Sequence, residues 1–270
     1  MNNCVKSVYG RSYGSRSAKA AMAIVLLFAM HITAACGKSE EKKQILIGAA
    51  ASLKPSLTEI QSVYAGENPS IELSFNFAGS GTLEQQVREG APMDLFIPAS
   101  AKQMDSLEAD EMIINDTRVD LLKNEIVLIV PKSSKLEITG FSDILKASAI
   151  ALGDPESVSA GQYAHEVFES MGIWDGVNKQ STFGTNVTEV LSWVSSGNVD
   201  AGVVYETDAV TDNGVKIIGM PPAGSHSDII YPAAVIKGTD TEKQAKDFLD
   251  FLRTDKADKV FKKYGFTVVN

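Results

Sequence analysis

The chain has 270 residues, 44% of them hydrophobic, with 25 basic against 34 acidic residues and a formal net charge of −9 at pH 7. That length and apolar content suit a large core in one or two domains, and the acidic balance argues against nucleic acid and against adsorption to anionic lipid. With only two cysteines, Cys4 and Cys36, a disulfide framework is excluded once the first is lost with a leader.

The first 35 residues read as that leader. Arg11, Arg16 and Lys19 precede an apolar run over residues 20–32, and Thr33-Ala34-Ala35-Cys36 follows. A basic region, a short apolar stretch and small residues make a secretory signal, and the run is too short to span a bilayer. Its end resembles a bacterial lipoprotein signal, with Cys36 as the lipidated residue and residues 36–44 as a polar tether. Thr33 departs from that pattern, which usually has a larger aliphatic residue there; the alternative is ordinary cleavage near Ala35, leaving Cys36 a free thiol. A diacylglycerol-type anchor carries two acyl chains, enough for stable attachment. Removal of the leader takes away four basic and no acidic residues and moves the net charge from −9 to −13. Any anion must then be caught by a local site, against the overall field.

The body alternates strands and helices. A short apolar run, Ile45-Leu46-Ile47, passes through small residues to Ser52, and Leu53, Leu57, Ile60 and Tyr64 then lie on one helical face. Ser52 falls where a helix N-cap is expected. Ile71, Leu73, Phe75 and Phe77 alternate as a second strand, which ends in Gly79-Ser80-Gly81-Thr82 before a helix with Leu83 and Val87. Residues 95–97, closed by Pro98, make a third strand, with a helix through Met104 and Leu107. Residues 125–130, closed by Pro131, make a fourth, and Ser142 is expected to cap the next helix. A strand at 149–152 leads to Asp154-Pro155, a turn. A helix follows from about Gly161, stopped by Gly172, and another carries Val187, Val190, Leu191 and Val194, stopped by Gly197. Strands at 201–205, 215–218 and 229–236 precede two C-terminal helices. The alternation predicts an α/β protein with mainly parallel sheets.

Ligands of such folds sit at strand ends. Four junctions there are rich in small or polar residues and poor in charge: Ala50-Ala51-Ser52, Gly79-Ser80-Gly81-Thr82, Ser159-Ala160-Gly161 and Thr185-Asn186-Val187. Together they suggest a site made of helix N-termini, hydroxyls and backbone N–H groups, for which a tetrahedral oxyanion is the natural guest. Enzyme readings fare worse. There is no G-x-S-x-G elbow, and the Gly79–Thr82 turn lacks the P-loop lysine. His165 and His226 fall mid-helix and in a polar loop, without metal-ligand spacing. No cofactor is expected.

The motifs Ala49-Ala50-Ala51-Ser52-Leu53, Phe77-Ala78-Gly79-Ser80-Gly81-Thr82-Leu83 and Gly90-Ala91-Pro92-Met93-Asp94-Leu95-Phe96-Ile97 resemble the molybdate-binding proteins of molybdate ABC transporters. So do Gly153-Asp154-Pro155-Glu156-Ser157-Val158-Ser159-Ala160-Gly161, Gly202-Val203-Val204-Tyr205-Glu206-Thr207-Asp208 and Lys263-Tyr264-Gly265-Phe266, in order along the chain from Ile45. The resemblance implies a type II periplasmic-binding-protein fold with the ligand in a cleft between two α/β lobes, residues 45–123 plus 232–270 and residues 124–231. Chain crossings are expected near 122–125 and 230–234. It implies that molybdate or tungstate is held by Ser52, Ser80, Ala160, Val187 and Tyr205, and that an extracytoplasmic, monomeric, lipid-anchored protein delivers it to an ABC permease. Two departures stand out: Gly79 and Gly81 where members often have serine, implying a looser loop, and Asn186 where an acidic residue is common. The alternatives are a receptor for sulfate or phosphate and, from a different class, a secreted hydrolase using Ser52 or Ser80.

Overall fold

The computed structural model describes residues 42–269; the signal peptide at 1–35 and Cys36 lie outside the described residues. The chain runs through β1 (Lys43–Ala50), α1 (Lys54–Glu67), β2 (Ile71–Ala78), α2 (Ser80–Arg88), β3 (Leu95–Ile97), α3 (Ala101–Ala109) and β4 (Val119–Asn124). It continues through β5 (Ile126–Pro131), β6 (Ile150–Gly153), α4 (Ser159–Ser170), α5 (Trp174–Gln180), β7 (Ser181–Gly184), α6 (Val187–Ser195), β8 (Ala201–Tyr205), α7 (Glu206–Ala209) and β9 (Val215–Gly219). It ends with β10 (Ile229–Val235), α8 (Glu242–Phe251), α9 (Asp255–Lys263) and β11 (Thr267–Val268). The first strand starts at Lys43, inside the expected tether.

Two sheets result, ordered β11-β4-β10-β3-β1-β2 and β7-β6-β8-β5-β9. The expectation of mainly parallel sheets holds for two of the five pairings in the first sheet and two of the four in the second. β1 runs parallel to β2 and β3, and β6 parallel to β7 and β8, whereas β10 is antiparallel to β3 and β4, and β5 antiparallel to β8 and β9. A crossover helix brings the chain back to start a parallel strand. The strands β5 and β10 instead arrive directly from the other sheet, so no crossover sets their direction.

The chain passes between the sheets at Glu125 and again over residues 220–228. The second passage lies before the expected 230–234, because those residues pair within β10, with Tyr231 opposite Leu122 and Ala233 opposite Val119. Pro221 and Pro222, in the actual passage, have no N–H to give a ladder.

The apolar stripe of α1 is buried as its spacing predicts, with Leu57 and Ile60 at 0% exposure. Tyr64 on the same face meets Phe248 and Phe251 edge-on at 5.0 Å, which seats α8 on the first lobe. Gly172 (φ +69°) and Gly197 (φ +74°) end α4 and α6 in the left-handed conformation that glycine adopts without strain. The expected cap at Ser142 is absent: residues Phe141–Lys146 form a 3₁₀ turn without a side-chain cap. There Asp143 accepts from the Thr139 N–H, and the Lys146 ammonium together with Thr139 holds its carboxyl well below the usual range.

Candidate functional site

Four helix or turn N-termini and the end of β8 converge where the two sheets face each other. Ser52 lies in the 3₁₀ turn Ala51–Leu53, ahead of α1, and is not the N-cap the sequence suggested; α1 has no side-chain cap. Its oxygen instead takes part in a tertiary hydrogen bond, 3.0 Å from the Tyr231 phenol. Ser80 opens α2, and its Oγ accepts the Ala99 N–H at 3.0 Å, so the hydroxyl proton is left to donate elsewhere. Ala160 is the second residue of α4 and Val187 the first of α6. Backbone N–H groups at such positions have no partner within their helix. Asn186 caps α6 through Oδ1, which accepts the Glu189 N–H at 3.0 Å, while the Glu189 carboxylate accepts the Thr185 N–H at 2.7 Å. This pairing locks the turn and leaves the Val187 N–H aimed outward from the helix end.

Tyr205, the last residue of β8, is 2% exposed, and its hydroxyl, which lies near the Tyr231 phenol, has no partner of hydrogen-bonding geometry among the described residues. Burial, reinforced by neighbouring Tyr231, Tyr163 and Asp208, pushes its phenol well above the ordinary value, so it remains a protonated donor at physiological pH. Ser159, the first residue of α4, is likewise 2% exposed with an unpartnered hydroxyl. Sequence reasoning did not single it out; its only signal was membership of the Ser159-Ala160-Gly161 junction.

Ser52, Ser80, Ala160, Val187 and Tyr205 all line one cavity of about 200 Å³, and Ser159 lines it too. The close approach of its walls leaves room for a small guest only. No charged residue and no histidine is among its lining residues. What faces inward is hydroxyl protons, backbone N–H groups and the positive ends of α2, α4 and α6.

The cavity is closed by contact between the lobes. The Gly81 N–H donates to the Ser157 carbonyl at 2.9 Å, and the Tyr163 hydroxyl reaches the Ala99 carbonyl at 3.4 Å. The Gly79-Ser80-Gly81 loop is therefore pinned across the cleft, not loose as the glycines suggested. Without side chains there, the backbone of the first lobe can approach Ser157 and Thr185 of the second.

Neither histidine approaches Ser52 or Ser80 within this cavity. His165 packs edge-on to Trp174 at 4.4 Å and stands 3.5 Å from Glu169, and His226 packs against Tyr163. A hydrolase built on either serine lacks its base.

The family model described as bacterial extracellular solute-binding protein matches residues 45–267. A relative from Bacillus subtilis (strain 168), provisionally named ABC transporter substrate-binding lipoprotein YvgL, is 41% identical over 90% of this chain and 96% of its own. The molybdate-binding protein ModA of Haemophilus influenzae is 37% identical over 83% of this chain and 90% of its own. A solved structure from Clostridium difficile, provisionally described as the substrate-binding domain of a molybdenum ABC transporter, is 38% identical. It covers 85% of this chain and 100% of its own, with a TM-score of 0.65.

Proposed function

Since this chain belongs to the bacterial extracellular solute-binding protein family, we propose that it captures molybdate or tungstate between its lobes and delivers it to an ABC permease. It is an extracytoplasmic binding protein and not an enzyme. The observation that carries the reading is the pair of buried, unpartnered hydroxyls, Tyr205 and Ser159, facing a small cavity without charged lining residues. A buried donor left unpaired is costly, so the cavity calls for a guest rich in acceptors. A fully deprotonated tetrahedral dianion presents only acceptors.

In this reading Ser52 and Ser80 donate from the first lobe, the Ala160 and Val187 N–H groups and the Tyr205 phenol from the second, and Ser159 adds a sixth group. A phosphate receptor needs an acceptor for the phosphate proton, and no carboxylate lines the cavity. Sulfate offers the same hydrogen-bond pattern as molybdate, so discrimination against it falls to cavity size. The names of the relatives from Haemophilus influenzae and Clostridium difficile favour the larger oxyanion. The division into two lobes, the monomeric state and the lipid on Cys36 belong to the same proposal, with the expected limits at 123/124 and 231/232 moved to Glu125 and to the passage over residues 220–228, because β4 and β10 pair in the first sheet; the name of the Bacillus subtilis relative supports the lipid.

Isothermal titration calorimetry of the unlipidated protein from Gly37 onward with molybdate, tungstate, sulfate and phosphate tests it. Tight one-to-one binding of the first two, with the others silent, is the expected result; binding of sulfate or phosphate alone overturns the ligand. The backbone contribution has its own test. Val187→Pro deletes one N–H at the first helical position, where proline is well tolerated. It is expected to weaken molybdate binding by about tenfold or more, the size of one hydrogen bond to a charged group. The unfolding free energy should stay within about 1 kcal/mol of wild type, read by urea titration.

A further inference from the structure

We propose that Asn124 and Tyr231, neither of which lines the cavity, are positioning residues that turn the Ser52 hydroxyl into a dedicated donor toward the bound oxyanion. This rests on the oxyanion reading above and assigns part of its selectivity to the passage between the lobes.

The argument follows protons along a chain of buried groups. The Glu125 N–H donates to Asn124 Oδ1 at 2.9 Å, which fixes the amide: the reverse orientation would set Nδ2 against an N–H. Nδ2 then donates to Thr207 Oγ1 at 2.9 Å and to the Tyr231 hydroxyl at 3.1 Å. With its oxygen accepting from Asn124, Tyr231 has Ser52 Oγ, 3.0 Å away, as the acceptor for its own proton. Were Ser52 the donor instead, the hydroxyl proton of Tyr231, a residue at 0% exposure, would have only the neighbouring Tyr205 oxygen to turn to, and that hydroxyl makes no hydrogen bond of good geometry among the described residues. Ser52 therefore accepts from Tyr231, and its own proton is free to enter the cavity it lines.

Two consequences follow. The relay makes Ser52 a donor just where a protonated oxyanion would need an acceptor, so hydrogen phosphate is disfavoured by groups it never touches. The relay is also anchored on both lobes, because Asn124 ends β4 in the first sheet and Thr207 lies in α7, directly after β8 of the second. The donor is thus set in place when the lobes are together.

A double-mutant cycle tests this in the full mature protein, with calorimetric titration of molybdate into wild type, Tyr231→Phe, Ser52→Ala and the double variant. Tyr231→Phe keeps the ring that packs against Tyr205 and Phe266 and is expected to bind about tenfold more weakly, while the double variant binds no more weakly than Ser52→Ala alone. Asn124→Ala, paired with Ser52→Ala in the same way, gives a second reading should Tyr231→Phe fold poorly, and thermal melting of each ligand-free variant separates lost fold from lost orientation. Unchanged affinity in Tyr231→Phe, or losses that add in the double variants, overturns the relay. Wild-type protein that binds neither molybdate nor tungstate overturns the underlying ligand reading instead.

Discussion

Replacing Gly81 by alanine is expected to weaken molybdate binding at least about tenfold while leaving the ligand-free protein as stable as wild type. A Cβ at Gly81 would sit 2.9 Å from Ser157 Cα and 3.0 Å from the Ser157 carbonyl oxygen, and one at Gly79 would sit 2.9 Å from the Ser157 and Thr185 carbonyl oxygens. These obstacles are backbone of the opposite lobe, which cannot rotate aside as a side chain would. Closure would stop short, and the Ser159, Ala160 and Val187 groups would stand off from Ser52 and Ser80. If closure is disfavoured by about 1.4 kcal/mol, affinity drops tenfold, because apparent affinity scales with the fraction of competent protein. Within its own lobe Gly81 is a residue of α2, where alanine is preferred over glycine by about 0.5–1 kcal/mol, so the open protein loses nothing. Calorimetry, thermal melting and small-angle scattering with saturating ligand read the three parts. An unchanged affinity together with full compaction would show that the bound form does not need this approach.

Substitution of Asp208 by asparagine should make the protein more stable than wild type at pH 8, with the advantage fading toward pH 4. Asp208 is 7% exposed, one carboxylate oxygen has no partner, and burial pushes its carboxyl up to about 7. Its folded pKa thus lies above the ordinary value of 3.8. Between the two, the native state binds more protons than the unfolded chain, and stability falls as pH rises. The contribution is fully present below about pH 4 and is lost as pH climbs to about 7. At 1.36 kcal/mol per unit, a shift of roughly three units costs up to about 4 kcal/mol at pH 8. Asparagine keeps the shape and removes the charge. Urea titrations of both proteins at pH 4, 6 and 8 should give curves that separate by about 2–4 kcal/mol at the alkaline end. A constant offset across the series would mean that Asp208 is ionised in the fold and paired by another route.

The order of strands and helices, the buried stripe of α1 and the glycine stops of α4 and α6 were legible in the sequence, because each depends on residues within one or two turns of each other. So was the set of junctions that meet at the cavity: small residues before an apolar periodic run mark a helix N-terminus wherever it ends up. Elements without periodicity escaped. β11 is two residues long, too short for alternation to register, and β4 buries Leu121 and Leu122 in succession, which breaks the period of two. Ala160 and Val187 act through backbone N–H groups that any residue but proline carries, so their side chains announced nothing and only the resemblance of motifs singled them out.

Hydrogen-bond satisfaction belongs to the tertiary structure alone. Whether Ser52 caps its helix or bonds Tyr231, 179 positions away, is decided by which atoms the folded chain brings within about 3 Å. The same holds for Ser159 and Tyr205, whose free protons define the cavity, and for Gly81, whose missing side chain matters only because Ser157 arrives from the other lobe. The sequence by itself determined where the donors stand along the chain. Only the fold decided which of their protons remain free, because each hydroxyl gives one proton and accepts others, and the partners that settle this lie on segments far apart in sequence.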